Sequence, residues 1–367
     1  MKAAILYEPK QPLKVEEVDV APPKAGEVAV RMGAAGVCHS DYHVMNGDLP
    51  APLPAILGHE GAGVVEAVGD GVASVKPGDH VILLFRAPCG RCPYCSTGRP
   101  ALCNMGTGVR WTGHLLDDTS RFSKGGQEIK HFGGVSTFAE RSVVLEEAVV
   151  PIRKDVPLEV AALVGCSVMT GYGAVVNTAK VPPGANCLVI GAGGVGLNVI
   201  LSLQLAGANR IIVADLLDYK LELSLDFGAT DTINAKNQDV VARAKELTGG
   251  EGVDYAFEVI GNTTALKNCF NAVRRGGTAV AVGVAPSNAE VSISQFDLVL
   301  QEKSLLGSMY GSNRAHYDMP RILDLYAAGK LPLDKLISRR YPLDEINEAY
   351  DAMMRGEVAR SVISYDR

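Results

Sequence analysis

This sequence has one tryptophan, Trp111, and no long run of a single residue type or charge sign. Without such a run, no part of it reads as a disordered tail. An excess of positive charge is also missing. The formal charge of −6 argues against general affinity for nucleic acid or anionic membranes. The opening stretch, MKAAILYEPKQPLKVEE, turns polar before an export-signal core can form. The segment best able to imitate a membrane span is CLVIGAGGVGLNVILSLQLAGA at 187–208. Four central glycines and Asn198, Ser202 and Gln204 interrupt it, so a buried strand, turn and helix suit it better. The expectation is a soluble, cytoplasmic protein with no nucleic-acid or membrane partner.

A chain of 367 residues exceeds one ordinary hydrophobic core and predicts two domains. Its 40 glycines fall largely in GG and GxG clusters that imply turns. Residues 1–150 read as short strands broken by Gly and Pro, as in GEVAVRMGAAGV and VKPGDHVILL. From near residue 168 the pattern changes to alternating strands and helices. Helices are expected near 218–226 and 238–247, with a strand near 230–233. VDYAFEVIG, TTALKNCFNAV and GGTAVAVGV follow as strand, helix and strand. Repeated β-α units predict an α/β fold with a parallel, doubly wound sheet. After about residue 310 the style partly reverts, and PLDEINEAYDAMMRGEVARSVISY predicts a helix and a final strand.

In CLVIGAGGVGLNVILSLQLAGANRIIVAD, an apolar strand runs into Gly191, Gly193 and Gly196, with Gly194 and Val195 between them. A GxGxxG motif between strand and helix, with an acid about 20 residues on, is a dinucleotide fingerprint. Gly191 makes the tight turn, Gly193 lets backbone approach a pyrophosphate, and Gly196 permits close helix–strand packing. The helix N-terminus offers the phosphates free N–H groups. Asp215 suits the ribose diol and repels a 2′-phosphate. Leu216 and Leu217 offer no guanidinium to neutralise one, so NAD is expected over NADP. Lys220 either contacts the ribose or is a solvated helix lysine.

Four of the eight cysteines lie within PCGRCPYCSTGRPALC: Cys89, Cys92, Cys95 and Cys103. Disulfides suit small exported scaffolds, not a large chain without an export signal. Redox chemistry of the thioredoxin type uses one CxxC at a helix start, not four cysteines in a Gly/Pro loop. Zinc fits: the two-residue gaps let thiolates converge at roughly 2.3 Å from one ion, and Cys103 closes the tetrahedron. Four thiolates leave no open position, so this site is structural.

A catalytic zinc needs about three protein ligands and a free position. Cys38 and His59 are suitable, with Glu60 as a supporting carboxylate or occasional ligand, and Cys166 as a distant third. Spacing alone does not separate ligands from packed residues here. GHEGAGVVEAVG at 58–69, however, resembles the zinc alcohol dehydrogenase signature of the medium-chain dehydrogenase/reductase superfamily. CHSDYH at 38–43, the four-cysteine lobe, GCSVMTGYGA at 165–174 and the glycine motif follow in that family's order. SRFSKGGQEIKHFGGVSTFAE at 120–140 resembles its longer, dimeric branch.

The resemblance implies a β-rich GroES-like catalytic domain at 1–168, with the structural-zinc lobe at about 88–104. A Rossmann NAD-binding domain at 169–309 and a return to the first domain at 310–367 complete the chain. Two zinc ions, NAD and a homodimer are implied. Cys38, His59 and Cys166 would bind the catalytic zinc, and Asp41 would orient His59 from its other ring nitrogen. Cys187 and Cys269 are left as core thiols, in keeping with a reducing compartment. Thr170 corresponds to a cofactor-contacting threonine and Arg360 to an arginine on the pyrophosphate. His39 stands where dimeric members often carry an arginine, and an imidazole is a weaker, pH-sensitive anion partner. The residues near Trp111 and Val284 would line the pocket, though for Trp111 itself a packed loop anchor is the plainer and favoured reading.

The implied reaction is reversible oxidation of a small-molecule alcohol to an aldehyde or ketone. The alcohol oxygen sits on zinc as alkoxide and hydride passes to NAD. Ser40 and His43 would relay the proton. Their plainer readings are a turn cap and a surface histidine. Two other enzymes share these motifs: a glutathione-dependent formaldehyde dehydrogenase, and a nicotinoprotein whose NAD does not exchange. Non-catalytic relatives, such as lens crystallins and quinone-reductase-like proteins, generally lack the zinc ligands.

Overall fold

Valine- and isoleucine-rich runs punctuated by glycine and proline become the strands of the first half, and β-α repeats become the second. The computed structural model describes residues 1–365, in which the chain parts into two units. One comprises Met1–Ser167 and the stretch from Arg314 onward, the other Val168–Asn313. The second boundary thus falls a few residues beyond the expected 309/310.

In the first unit, a seven-stranded sheet carries the chemistry-bearing residues. Its order is Val149–Ile152, His80–Leu84, Glu60–Val68, Glu27–Gly36, Arg360–Ser364 and Ile337–Tyr341, with Arg141–Leu145 also paired to Glu27–Gly36. The last strand of the chain lies antiparallel to Glu27–Gly36, with Val362 opposite Gly36 and Ile363 opposite Ala35. That pairing brings residues from the end of the sequence beside the first cysteine. On one side of this sheet Val37, Val44, Leu57, Phe138, Ile346, Ala349, Tyr350 and Ile363 share a buried cluster. A second sheet of six short strands is built around Lys2–Leu6 and Gln127–His131.

The second unit is a six-stranded parallel sheet ordered Asp231–Asn234, Arg210–Asp215, Asn186–Ile190, Val253–Glu258, Val273–Ala281 and Ser304–Gly307. This is the strand order of the doubly wound dinucleotide fold. Helices Asp218–Asp226 and Val240–Leu247 stand where the sequence pattern placed them. The Asp239 side chain caps the latter by accepting from the Ala242 N–H. The 187–208 segment resolves into the strand Asn186–Ile190 and the helix Gly194–Leu205. The run long and apolar enough to cross a membrane is a different one, Leu158–Ala179, and 78% of its most apolar window is buried inside the protein.

The four-cysteine loop is too polar to pack by itself. Cys92 precedes the short helix Pro93–Ser96, and Cys103 precedes Asn104–Thr112. All four sulfurs lie within 4.8 Å of one another, and none is in a disulfide. The Cys92 and Cys103 sulfurs are 3.9 Å apart, close to the ~3.8 Å edge of a tetrahedron with ~2.3 Å zinc–sulfur bonds. Backbone N–H groups of Cys95 and Asn104 pull the Cys92 thiol down to about 6. Burial and the neighbouring Cys92 push Cys95 up to about 12. Four thiolates therefore coexist there only around a cation, and the donor set fits zinc. Trp111, on the helix after Cys103, is exposed. Replacing the buried Cys103 with serine is expected to halve the zinc content measured by elemental analysis and lower the melting temperature by at least ~5 °C. Undiminished zinc would show that the loop holds no metal.

Candidate active site and dinucleotide loop

Cys38 follows the strand Glu27–Gly36 and precedes the helix His39–Asn46, so its backbone is held from both sides. His59 leads into the strand Glu60–Val68. Cys166 arrives from far along the chain in a π-helical turn, Val164–Val168, a local irregularity often found at functional positions. Donor atoms of Cys38, His59, Glu60 and Cys166 all lie within 4.8 Å of one another, and all four residues are buried.

Asp41, on the helix after Cys38, explains how His59 is aimed. Its Oδ1 accepts from the Gly58 N–H at 3.1 Å and faces His59 Nδ1 at 3.0 Å. Nδ1 is also 3.0 Å from Oδ2, but the hydrogen bond is directed at Oδ1. A carboxylate on Nδ1 fixes the proton there and turns the Nε2 lone pair inward. Nε2 sits 3.2 Å from Cys166 Sγ. The His59 ring is held edge-on by Phe85, with centroids 5.0 Å apart. Burial opposes a charge on His59, yet Asp41 and Cys38 outweigh it and raise its pKa to about 10. A metal cation in that position takes over the role of the proton.

Glu60 is fully buried, and burial lifts its pKa to about 7 against the pull of Arg360. Its Oε1 accepts from the Ser167 hydroxyl at 2.8 Å, and its Oε2 pairs with the Arg360 guanidinium. Glu60 is thus tied to the chain at both oxygens beside Cys38, His59 and Cys166. Two thiols and an imidazole match the ligand types and number of a catalytic zinc set.

Arg360, which the resemblance places on the pyrophosphate, pairs here with Glu60 and is 6% exposed. The strand register accounts for it, because extending the pairing of Val362 with Gly36 places Arg360 beside Cys38. Gly36 leaves the room: a Cβ there would come within 2.7 Å of the Glu60 carboxyl carbon. Sequence reasoning missed Ser167, although its position next to Cys166 was a usable signal.

Ser40 and His43 lie one turn apart on the helix His39–Asn46 and are both half-buried. His43 Nδ1 is 3.1 Å from Asp48 Oδ2, a partner the sequence did not suggest. His39 is exposed, its ring centroid 6.2 Å from that of His43. Thr170 is half-buried and belongs to the second unit.

In that second unit, Gly191 takes φ +108°, a backbone state that strains other residues. A Cβ on Gly196 would meet the Gly191 carbonyl oxygen at 2.0 Å, whereas one on Gly193 would enter open space. The opening at Gly193 faces the start of Gly194–Leu205, where a phosphate can meet free N–H groups. The Asp215 carboxylate accepts from the N–H groups of Ala192, Leu216 and Leu217 at 2.8, 2.7 and 3.1 Å. It is thereby anchored to the glycine turn. Lys220 is half-buried in the first turn of Asp218–Asp226, and Val284 is exposed. Glu258, which sequence reasoning passed over, is buried at the end of its strand and accepts from the N–H groups of Ile260, Gly261 and Asn262. An acid at the carboxyl end of a parallel strand is a readable signal for such a loop.

Comparison with known proteins agrees with this geometry. Residues 24–154 match the alcohol dehydrogenase GroES-like domain family, and residues 194–328 match the zinc-binding dehydrogenase family. The chain is 43% identical over 372 residues to the alcohol dehydrogenase class-3 of Drosophila melanogaster, covering 99% of this chain and 97% of that protein. A zinc-binding-domain alcohol dehydrogenase protein from Burkholderia ambifaria superposes with a TM-score of 0.96 at 34% identity, covering 100% of this chain and 99% of that one. The benzyl alcohol dehydrogenase of Acinetobacter calcoaceticus gives 0.95 at 35% identity with the same coverage. The chain belongs to the zinc-dependent alcohol dehydrogenases of the medium-chain dehydrogenase/reductase superfamily.

Proposed function

We propose that this protein is an NAD-dependent dehydrogenase that reversibly oxidises a primary or secondary alcohol at Cys38, His59 and Cys166. The observation that carries this reading is the convergence of Cys38, His59 and Cys166 in one buried group, with Asp41 on the other ring nitrogen of His59. When bound, zinc supplies Lewis acidity toward an alcohol oxygen and NAD supplies the hydride acceptor. Cys38 and Cys166 offset the metal's charge, and Asp41 keeps the His59 lone pair on it. Ser40 Oγ takes the substrate hydroxyl proton as it releases its own hydroxyl proton toward His43. His43, held at Nδ1 by Asp48, passes that proton from its half-exposed ring to solvent. Asp215 is fixed as an acceptor for the ribose diol and excludes a 2′-phosphate, which supports NAD over NADP.

A second reading stays in view because a relative at 43% identity is a class-3 alcohol dehydrogenase. It makes S-hydroxymethylglutathione the substrate. The full set of free cysteines supports a soluble enzyme of a reducing, cytoplasmic setting. A homodimer is supported by the edge strand Ser304–Gly307, whose outer side is unpaired among the described residues. Exposed Leu306, Phe296, Val299 and Leu300 lie on or just before it, and an apolar sheet edge of this kind calls for a partner.

The activity is tested by following NADH absorbance with aliphatic, allylic, benzylic and terpenoid alcohols, with and without added NAD. Turnover should require added NAD, and kcat/KM should favour NAD over NADP by at least ~100-fold. Dye reduction without added NAD would identify a nicotinoprotein, and activity on S-hydroxymethylglutathione alone would select the second reading. Asp215→Ala is expected to shrink the NAD preference at least ~10-fold, about 1.4 kcal/mol. An unchanged ratio would remove Asp215 from coenzyme selection. Leu306→Lys should turn a dimer into monomers by light scattering. A persistent dimer would place the interface elsewhere.

A further inference from the structure

Four buried side-chain polar atoms without a hydrogen-bond partner belong to residues around the first donor set or on the elements packed beside it: Asp41 Oδ2, Tyr350 Oη, Arg360 Nε and Ser361 Oγ. A fully buried polar atom with no partner costs on the order of 1–3 kcal/mol, so a group of them calls for an explanation. Asp41 Oδ2 and Tyr350 Oη are complementary, since a carboxylate oxygen can only accept and a phenol can donate.

Tyr350 stands on the helix Ile346–Met354 between two rings, each one residue removed from Asp41. Its ring is 6.4 Å from that of Tyr42, the residue after Asp41, and 6.2 Å from that of Phe138, which it meets edge-on. Phe138 lies directly against Gly58, where a Cβ would come within 2.8 Å of the phenylalanine ring. The Gly58 N–H in turn donates to Asp41 Oδ1. Burial, followed by the negative charges of Asp41 and Cys38, pushes the Tyr350 phenol well above its ordinary value, so the hydroxyl keeps its proton. Ser361 alternates along its strand with Ile363, which belongs to the same buried cluster as Tyr350. Its hydroxyl is thus directed to that side of the sheet.

We propose that Tyr350 is a positioning residue for His59: its hydroxyl donates, through one buried water, to Asp41 Oδ2 and so holds the carboxylate that orients the imidazole. A buried water needs two to four polar partners. Tyr350 Oη, Asp41 Oδ2 and Ser361 Oγ supply three. The result is a chain of support from the helix Ile346–Met354 through Asp41 to the His59 lone pair. The inference rests on the reading of Cys38, His59 and Cys166 as a zinc site.

Tyr350→Phe removes the hydroxyl and keeps the ring. Zinc transfer from the purified enzyme to a chromogenic chelator and the visible spectrum of the cobalt-substituted enzyme are the readouts, with melting temperature as control. Release from the three-donor site is expected to quicken about tenfold, at the low end of the 10–100-fold cost of losing a group behind a metal ligand. Release from the four-cysteine site should stay unchanged, and the cobalt bands of the three-donor site should shift. A high-resolution crystal structure should show the water in the parent and lose it in the variant. Parental release rates and cobalt bands in the variant would overturn the proposal, as would a crystal structure with no water between Oη and Asp41. Absence of metal from the parent's three-donor site would instead overturn the zinc reading and this inference with it, and the parent's metal content tells the two failures apart.

Discussion

Two thiols, an imidazole and a carboxylate held within 4.8 Å in a dry interior cannot all carry charge unless cations share the space. Most of the first unit answers that constraint. Arg360 supplies one positive charge, and Glu60 claims it through a buried pair. His59 supplies another as a proton, and an ion among Cys38, His59 and Cys166 would take that role over. Strand register, the helix after Cys38 and the π-turn at Cys166 fix where these donors converge. The four-cysteine loop meets the same constraint with a different outcome. Its donors close a tetrahedron, so it stabilises a polar loop and admits no substrate.

The second unit works with backbone more than with charge. Gly191, Gly193 and Gly196 open a turn in front of a helix start. Asp215 and Glu258 spend their carboxylate oxygens on N–H groups of the loops beside it. Each acid thereby ties a strand end to its own loop. Asp215 is then presented as a fixed acceptor, because its hydrogen bonds to Ala192, Leu216 and Leu217 leave little freedom to turn away.

Legibility followed the range of the interaction. Cys89, Cys92, Cys95 and Cys103 were readable because their ligand geometry is set by spacing within one loop. The glycine turn was readable because it needs a particular backbone over six residues. Asp41 was readable by resemblance, and its hydrogen bond to His59 spans only a helix turn and a loop. Ser167 and Glu258 were passed over although both carried local signals, next to Cys166 and at a strand end respectively.

The residues most dependent on distant contacts were the least legible. Arg360 was read by resemblance as a phosphate contact, and its Glu60 partner was not foreseen, because the pairing of strands far apart in the chain brings the two together. Nothing in the local sequence around Tyr350 announces that its hydroxyl is buried near Asp41, because helix packing on the sheet decides it. The sequence by itself determined the donor types, the dinucleotide turn and the order of strands and helices, since each depends on neighbours within one element. Only the tertiary structure decided which distant donors converge and which buried groups support them. Those outcomes depend on register and packing between segments up to 300 residues apart, where each side chain's direction is set by its neighbours in space.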